Sequence, residues 1–563
     1  MRQVSLYMPK YIFVSGGVIS GLGKGITAAS VGLLLKNSGY RIVPIKCENY
    51  LNIDSGTINP IEHGDPFLCE DGLEADMDIG TYEKFLDQDM GHDNFMTLGQ
   101  IYKTVIDRER RFEYNGEDVE AIPHVTDEIL SRIERAVKNQ KGDIAIIELG
   151  GTVGEYQNVL YYEAARILQF RKPGDVMHIH VSYIPYPRHL GEPKTKPAQL
   201  SIRTLNSMGI QADMLIARSS QPLDVRRRER LSLFCNLLPE DVLSSYDVDS
   251  VYKIPLILEE QGLSKRIQKK LRLRTHRPEL KEWKRFIKTV KRPKKHHIRI
   301  AIVGKYFATG EYQLKDSYAA LFDAIDHAAW KQNCDVHIDW IMSEKVEKTG
   351  IRKQLHKDTH GIIVPIGWGE RGVEGMIEAA SFARTNKIPY LGLCYGMQLA
   401  AVAFARDVLG LKKANTEEVD PKSPDPVIHI MPPQKELLGK RAYGGTMRLG
   451  AWEAYIKKGT LADSVYKEYL GYLKPGKQLM SERHRHRYEF NDTYAKRFEK
   501  AGMTIAARSK IEGLAEIVEL PISQHPFYIG IQGHPEYKSR PMRPHPLFLA
   551  FIKGCITAHH MLK

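Results

Sequence analysis

The chain has 563 residues, 26% of them charged and 42% hydrophobic, with a formal net charge of +13 and six cysteines. That length predicts two to four domains, each able to bury a full core, and the cysteines (47, 69, 235, 334, 394 and 555) have no spacing that suits zinc or a disulfide framework. No apolar run approaches the roughly 18 residues that cross a bilayer and the first residues carry no cleavable signal pattern, so a cytoplasmic enzyme without a membrane partner is expected.

In chain order, the first expected element is a strand over 11–15. The loop Gly16-Gly-Val-Ile-Ser20-Gly-Leu-Gly23-Lys24-Gly25 and a helix over 27–36 follow it. Backbone N–H groups and a helix dipole arranged this way cradle phosphates. The loop departs from the standard P-loop. Its first glycine lies one residue further from Gly23-Lys24, and Gly25 stands where a Ser or Thr would touch magnesium. A generic glycine turn is the plainer reading, but Lys24 and a second basic strand end at Lys46 favour phosphate binding. Without that hydroxyl a metal needs carboxylates from elsewhere. Asp76-Met-Asp78 and Glu148 are the best placed, Glu148 because it ends the apolar run 144–148. Parallel α/β sheets build their sites at such C-terminal strand ends, although a structural acid would look the same in sequence.

Further β-like runs at 41–45, 143–148, 176–181 and 212–217 alternate with helical patterns. Residues 265–295 then hold fifteen Lys and Arg against Glu279 and Glu282, which accounts for the whole net charge. A basic run is more often a solvated face than a nucleic-acid surface, so no nucleic-acid partner is expected. The pattern LKEWKRFIKTVK, stopped by Arg292-Pro293, predicts a linker helix. The expected domains are therefore 1–263, a basic linker over 264–297, and 298–563.

Beyond the linker, runs at 298–303, 361–365 and 390–393 open a second set of strands. Strands alternating with helices predict an α/β fold of two doubly wound parallel sheets. The third run delivers Cys394 into a turn between Gly392 and Gly396, and a helical pattern over 397–406 follows. This is the form of a strained strand-to-helix elbow, where the helix dipole favours a thiolate. Downstream, Gly530-Ile-Gln-Gly-His534-Pro-Glu536 offers an imidazole and a carboxylate to orient it. A lone cysteine is usually a small buried hydrophobe; the elbow and the His-Pro-Glu reverse that reading. Cys394, His534 and Glu536 together resemble the Cys-His-Glu centre of class I glutamine amidotransferases, which release ammonia from glutamine.

The segments GGVISGLGKG, HGDPFLCEDGLEADMDIGTYEKF, ELGGTVGE, GEPKTKPAQ, LFCN, DVDSVYKIP, GGTMRLG, RHRHRYE and GHPE are similar, across nearly the whole chain, to those of CTP synthases. These enzymes join an N-terminal P-loop-like synthetase (amidoligase) domain to a C-terminal class I glutamine amidotransferase domain. The resemblance implies that ATP phosphorylates the 4-oxygen of UTP, and that ammonia from L-glutamine displaces the phosphate to give CTP. It implies ATP binding by Gly21, Leu22, Gly23, Lys24, Gly25, Ile26, Lys46, Asp78, Asp247 and Val248, with Mg2+ on Asp78 and Glu148. For UTP and CTP it implies Ser20, Glu155, Tyr156, Gln157, Lys194, Thr195, Lys196, Pro197, Ala198, Gln199 and Arg230. For glutamine and the oxyanion it implies Gly367, Tyr395, Gly396, Met397, Gln398, Glu418 and Arg487. GTP as allosteric activator is implied too, with Arg448 in the segment concerned. So is a homotetramer built as a dimer of dimers, which in some members polymerises into filaments.

The chain departs from the family at several points. Glu48-Asn49-Tyr50 replaces Asp-Pro-Tyr, Glu155-Tyr156-Gln157 replaces Asp-Ile-Glu, and Arg230 replaces a lysine. Ile366 and Trp368 alter a Gly-Gly-Phe-Gly turn, and Gly533 takes a position commonly aromatic. Two other readings stand beside this one. Another ATP-dependent amidotransferase, of the cobyrinate amidase type, is opposed by KTKPAQ and Glu536. A structural or regulatory homologue is opposed by the retention of Lys24, Asp78, Glu148, Cys394, His534 and Glu536.

Overall fold

A computed structural model of the chain describes residues 8–59, 64–309, 312–313, 315–441, 443–469, 473 and 478–561. His63, the first residue of HGDPFLCEDGLEADMDIGTYEKF, lies outside them. The chain divides into two compact units, one built from residues up to 53 with 78–287, the other from 54–77 with residues from 288 onward.

The apolar runs of the first half are strands buried on both faces, which parallel sheets require. In order they are β1 (Lys10–Gly17), β2 (Ile42–Glu48), β3 (Phe95–Thr97), β4 (Ile144–Leu149), β5 (Val176–Tyr183), β6 (Met214–Ser219) and β7 (Val242–Tyr246). They form one sheet in the order β3-β2-β4-β1-β5-β6-β7, with every pairing parallel. The chain reverses its direction of winding beside β1, so the C-terminal ends of β1, β4 and β5 flank the crevice where such sheets bind ligands. Helix α1 (Lys24–Lys36) starts three residues before the helical pattern because Gly23, at φ 93°, turns the loop directly into it. In the basic segment the structure forms α2 (Leu263–Lys270) and α3 (Lys281–Lys291). The second ends ahead of Arg292-Pro293, as expected, and buries Trp283, Phe286 and Ile287 against Tyr252 and Phe85. Its charges therefore ride on a helix held by an aromatic stripe.

In the second unit, β8 (His296–Gly304), β9 (Cys334–Met342), β10 (Gly361–Val364), β11 (Tyr390–Leu393), β12 (Arg448–Ile456), β13 (Leu479–His486), β14 (Thr504–Ser509), β15 (Ala515–Glu519) and β16 (Tyr528–Ile531) form a nine-stranded sheet. Its order is β9-β8-β10-β11-β16-β15-β14-β12-β13. The first five strands are parallel and the last four antiparallel. A wholly parallel sheet was the expectation. The strands after residue 448 extend it by antiparallel pairing, which does not need the crossover of a parallel pair. β10, β11 and β16 are neighbours, so their C-terminal ends present three loops side by side.

Candidate active sites

In the first unit, α1 brings Lys24 back under the loop, where it is buried and its Nζ donates to the carbonyl of Gly151 at 2.7 Å. Burial pulls its pKa down, and the neighbouring Lys46 adds to that. Lys46 stands opposite Glu148 in the β2–β4 register. Its Nζ lies 2.9 Å from Glu148 Oε1 and 3.2 Å from Glu48 Oε1, and it also pairs with Asp78. The second carboxylate oxygen of Glu148 accepts from the Tyr82 hydroxyl. Burial, then the negative charge of Asp78, raises Glu148 to about 7.

One ammonium thus sits among three carboxylates, an oxygen-only donor set that suits a hard cation such as Mg2+. Gly25 has its reason here: a Cβ on it would stand 2.1 Å from Asp78 Oδ1. The carboxylate fills the space that a P-loop hydroxyl would need. The sequence did not single out Glu48 or Tyr82 as site residues, because only strand register and tertiary packing bring them to Lys46 and Glu148.

The remaining expected nucleotide residues are more open. Ser20 and Gly21 are exposed on the loop while Leu22 is buried and Ile26 half-buried. Thr195 caps the helix α4 (Lys196–Ser207) and its hydroxyl accepts from Gln199 at 3.0 Å. Pro197 and Ala198 complete that first turn, with Lys196 exposed. Lys194 pairs with Glu192. Exposed Arg230 lies over the Phe234 ring, 5.7 Å from its centroid. Asp247, followed by half-buried Val248, pairs with Arg218 at 2.5 Å. Tyr156 and Gln157 point to solvent, Tyr156 being 96% exposed. Glu155 folds back on its own loop: Oε1 accepts from the Thr152 amide and hydroxyl, both at 2.7 Å, and Oε2 from Asn49 Nδ2 at 3.1 Å.

In the second unit Cys394 caps the helix α5 (Tyr395–Asp407) at φ 50°, ψ −98°, a conformation that strains any residue but glycine. Gly396 permits it, since a Cβ there would stand 1.9 Å from the carbonyl oxygen of Val364. The thiol lies 4.0 Å from the carbonyl of Arg485 and receives Nε2 of Gln532 at 3.5 Å. His534 Nδ1 meets Glu536 Oε1 at 2.7 Å. Burial would lower the imidazole, but the Glu536 carboxylate and then Cys394 outweigh it and raise His534 to about 10. The centre holds an imidazolium beside the thiol.

Around it, Gly367 lies against Tyr395, whose hydroxyl donates to the Gly369 carbonyl at 3.0 Å. Met397 is buried in α5. Gln398 Nε2 donates to the Tyr488 carbonyl at 2.9 Å and to Gln532 at 3.1 Å. Glu418 accepts the Gly369 amide at 2.7 Å, and burial raises its pKa. Arg487 is turned to Gln434 and the Tyr443 carbonyl, both at 2.5 Å. Arg448 itself is buried against Glu516, 2.8 Å away, and over the Trp452 ring, although Gly444 and Gly445 of its segment are exposed. The altered turn is accommodated, with the Arg485 guanidinium over Trp368. Gly533 is needed because a Cβ would stand 2.8 Å from Glu482 Cβ.

Sequence reasoning missed five supports of this centre. Lys305 is buried, donates to the Trp368 carbonyl at 2.9 Å and covers the Tyr395 ring at 4.8 Å; burial lowers it to about 8. Tyr537 stacks on His534 and its hydroxyl donates to Asp65 at 2.7 Å. Arg485 meets Glu74 at 2.6 Å. Arg485 lies within RHRHRYE and Tyr537 directly follows GHPE, but no spacing signalled a partner in 54–77.

A thiol–imidazole–carboxylate centre and a lysine-bearing phosphate loop on one chain are the equipment of an ATP-dependent glutamine amidotransferase. The family model for the CTP synthase N-terminus matches residues 10–273, and that for class-I glutamine amidotransferase matches 313–554. The CTP synthase of Pyrococcus furiosus is 46% identical over 97% of this chain and 98% of its own length. That of Sulfolobus acidocaldarius is 47% identical over 97% and 99%, and that of Thermus thermophilus 44% over 97% of each. The chain belongs to the CTP synthase family. A cobyrinate amidase or a non-catalytic homologue is not favoured by these matches.

Proposed function

We propose that the chain converts UTP to CTP with ATP and L-glutamine, synthesis being carried out by residues 1–263 and ammonia release by 298–563, with 264–297 as linker. The observation that carries this reading is the set Cys394, His534 and Glu536, joined on one chain to Lys24, Lys46, Asp78 and Glu148. In the first half-reaction the uracil 4-oxygen attacks the γ-phosphorus of ATP, ADP leaves, and ammonia then displaces phosphate from C4. Lys24 and the loop amides of 21–26 hold the ATP phosphates and offset their charge. Asp78 and Glu148 would hold Mg2+, which when bound neutralises phosphate charge; the crowd of carboxylates around Lys46 supports that assignment. Asp247 and Val248 face the adenine. Ser20, the 155–157 segment, Lys194–Gln199 and Arg230 bind UTP and product CTP, the lysines and arginine matching an anionic triphosphate.

In the other half-reaction the Cys394 thiolate attacks the carboxamide carbon of glutamine. The amides of Gly367 and Tyr395 receive the developing oxyanion, and Gly396, Met397, Gln398, Glu418 and Arg487 bind the substrate. His534 gives its proton to the departing ammonia and then deprotonates the water that hydrolyses the thioester, with Glu536 holding the ring. GTP as activator, a homotetramer built as a dimer of dimers and a cytoplasmic setting complete the proposal. Among the described residues no helix is long and apolar enough to cross a membrane. The test is CTP formation from UTP and ATP, with glutamine and then with ammonium chloride. Both should yield CTP, and absence of product with either nitrogen source would reject the reading.

A further inference from the structure

Below the phosphate loop lies a buried chain of three side chains that the mechanism above does not use. Ser15 in β1 and His180 in β5 are register partners in adjacent parallel strands, and Ser15 Oγ meets His180 Nδ1 at 2.8 Å. On the other side of the ring, Nε2 meets Ser201 Oγ at 2.6 Å. Ser201 belongs to α4, the helix that opens on Thr195 and Lys196. All three residues are buried, at 1%, 0% and 5% exposure.

Each end of this chain abuts a segment assigned to a substrate. Ser15 immediately precedes Gly16-Gly17, where the loop for the ATP phosphates begins. At the far end a Cβ on Gly17 would stand 1.6 Å from Ser201 Oγ and 2.9 Å from His180 Nε2. The backbone that leaves β1 is therefore pressed against the helix that opens on the Lys194–Gln199 segment, with the imidazole completing the contact. Burial, helped by the charge of Lys24, lowers His180 to about 3. The ring is neutral and has a single N–H: it donates to one hydroxyl and accepts from the other. A neutral imidazole between two rotatable hydroxyls is satisfied in either tautomer, and its ring plane fixes the distance between the two segments. An aliphatic side chain in the same space would leave both hydroxyls buried without this partner.

We propose that His180 is a positioning residue for the synthetase reaction, which through Ser15 and Ser201 holds the phosphate loop and the Lys194–Gln199 segment in one register for two nucleoside triphosphates. The inference rests on the reading of those two segments as ATP and UTP sites.

The experiment is ammonia-dependent CTP formation by the full chain, with KM measured for UTP and ATP separately. The variants are Ser201→Ala, His180→Gln and His180→Leu, each followed by thermal melting. Ser201→Ala removes one oxygen and should raise the KM for UTP about five- to tenfold, changing the KM for ATP less than twofold and leaving the melting temperature near the parent's. His180→Gln keeps a hydrogen-bonding atom near the Nε2 position, so it should recover most of the UTP affinity that His180→Leu loses. An unchanged KM for UTP in Ser201→Ala overturns the inference. So does a parallel fall in kcat, both affinities and the melting temperature, which would mark a merely structural contact. If His180→Leu does not fold, the Ser201→Ala result decides alone. A parent protein that forms no CTP would sink the functional reading itself, which is a different result from a parent that works and a Ser201→Ala variant that matches it.

Discussion

Cys394 holds a backbone conformation that costs a non-glycine residue about 1–3 kcal/mol, and the surroundings that enforce it also tune its partner. His534 has its pKa raised to about 10, burial being outweighed by Glu536 and Cys394. A base with a raised folded pKa contributes stability that is complete below its unfolded value and is lost as pH climbs through the folded one. The imidazolium should therefore persist through neutral pH, and glutaminase activity should hold there and fall toward about pH 10. Glu536→Gln removes the charge that raises His534, so the alkaline limb of glutaminase kcat/KM should move to lower pH; an unmoved limb would contradict the assignment. Tyr537→Phe tests the layer behind the ring. It keeps the stack on His534 but leaves Asp65 Oδ2 without its hydroxyl donor, and should lower stability by about 1–3 kcal/mol in denaturant melts. Cys394, His534 and Glu536 were legible in the sequence because two short motifs carry them. Lys305 and Asp65 were not, since each meets its partner across more than sixty residues and no local pattern encodes such a contact.

At the scale of elements, the loop and the elbow were readable for the same reason: each is a strand, a few glycines and a helix in sequence order. What the sequence could not display is how one element fills space left by another. Gly25 looked like a missing hydroxyl, yet Asp78 occupies its place, from the start of a helix (Met77–Leu86) more than fifty residues on. Gly25→Ser, which restores the common P-loop residue, should therefore displace Asp78. Ammonia-dependent synthesis should fall on the order of a hundredfold, while glutamine hydrolysis continues. The two departures from the family at 48–50 and 155–157 proved to be one structural unit. Asn49, where a proline could donate nothing from its side chain, donates to the longer Glu155, whose other oxygen binds Thr152. That carboxylate is committed to its own loop and Tyr156 lies in solvent, so product CTP should find fewer contacts than UTP, whose triphosphate we assign to Lys194, Lys196 and Arg230. Weak feedback is expected. Changing Glu155→Asp, Tyr156→Ile and Gln157→Glu together with Asn49→Pro should sharpen CTP inhibition measured at fixed UTP, and no change would reject the idea.

For the whole molecule, the division of labour follows from which unit carries each set of groups. Lys46 pairs with Asp78 and Glu148, and Lys24 with the Gly151 carbonyl, all in the first unit, while Cys394, His534 and Glu536 lie in the second. The two series of strands were legible on either side of the +13 segment, inside which the division between the units falls, at 287/288. The transfer of 54–77 to the second unit was not, because those residues carry no composition shift. Two substitutions should then dissociate the activities in opposite directions. Cys394→Ala removes the nucleophile, so glutamine-dependent CTP formation should drop at least about a thousandfold toward background. Synthesis from ammonium chloride should stay near the parent rate, since no synthetase group is touched. Lys24→Ala should do the reverse. It deletes a buried cation from the loop proposed to hold the ATP phosphates, and phosphoryl transfer depends on such charge. Synthesis from either nitrogen source should be lost while glutaminase chemistry persists. The outcome that would break this partition is equal loss of both syntheses in Cys394→Ala, or near-parent ammonia-dependent synthesis in Lys24→Ala. The first would place the thiol in the synthetase reaction, and the second would move the ATP site away from the loop.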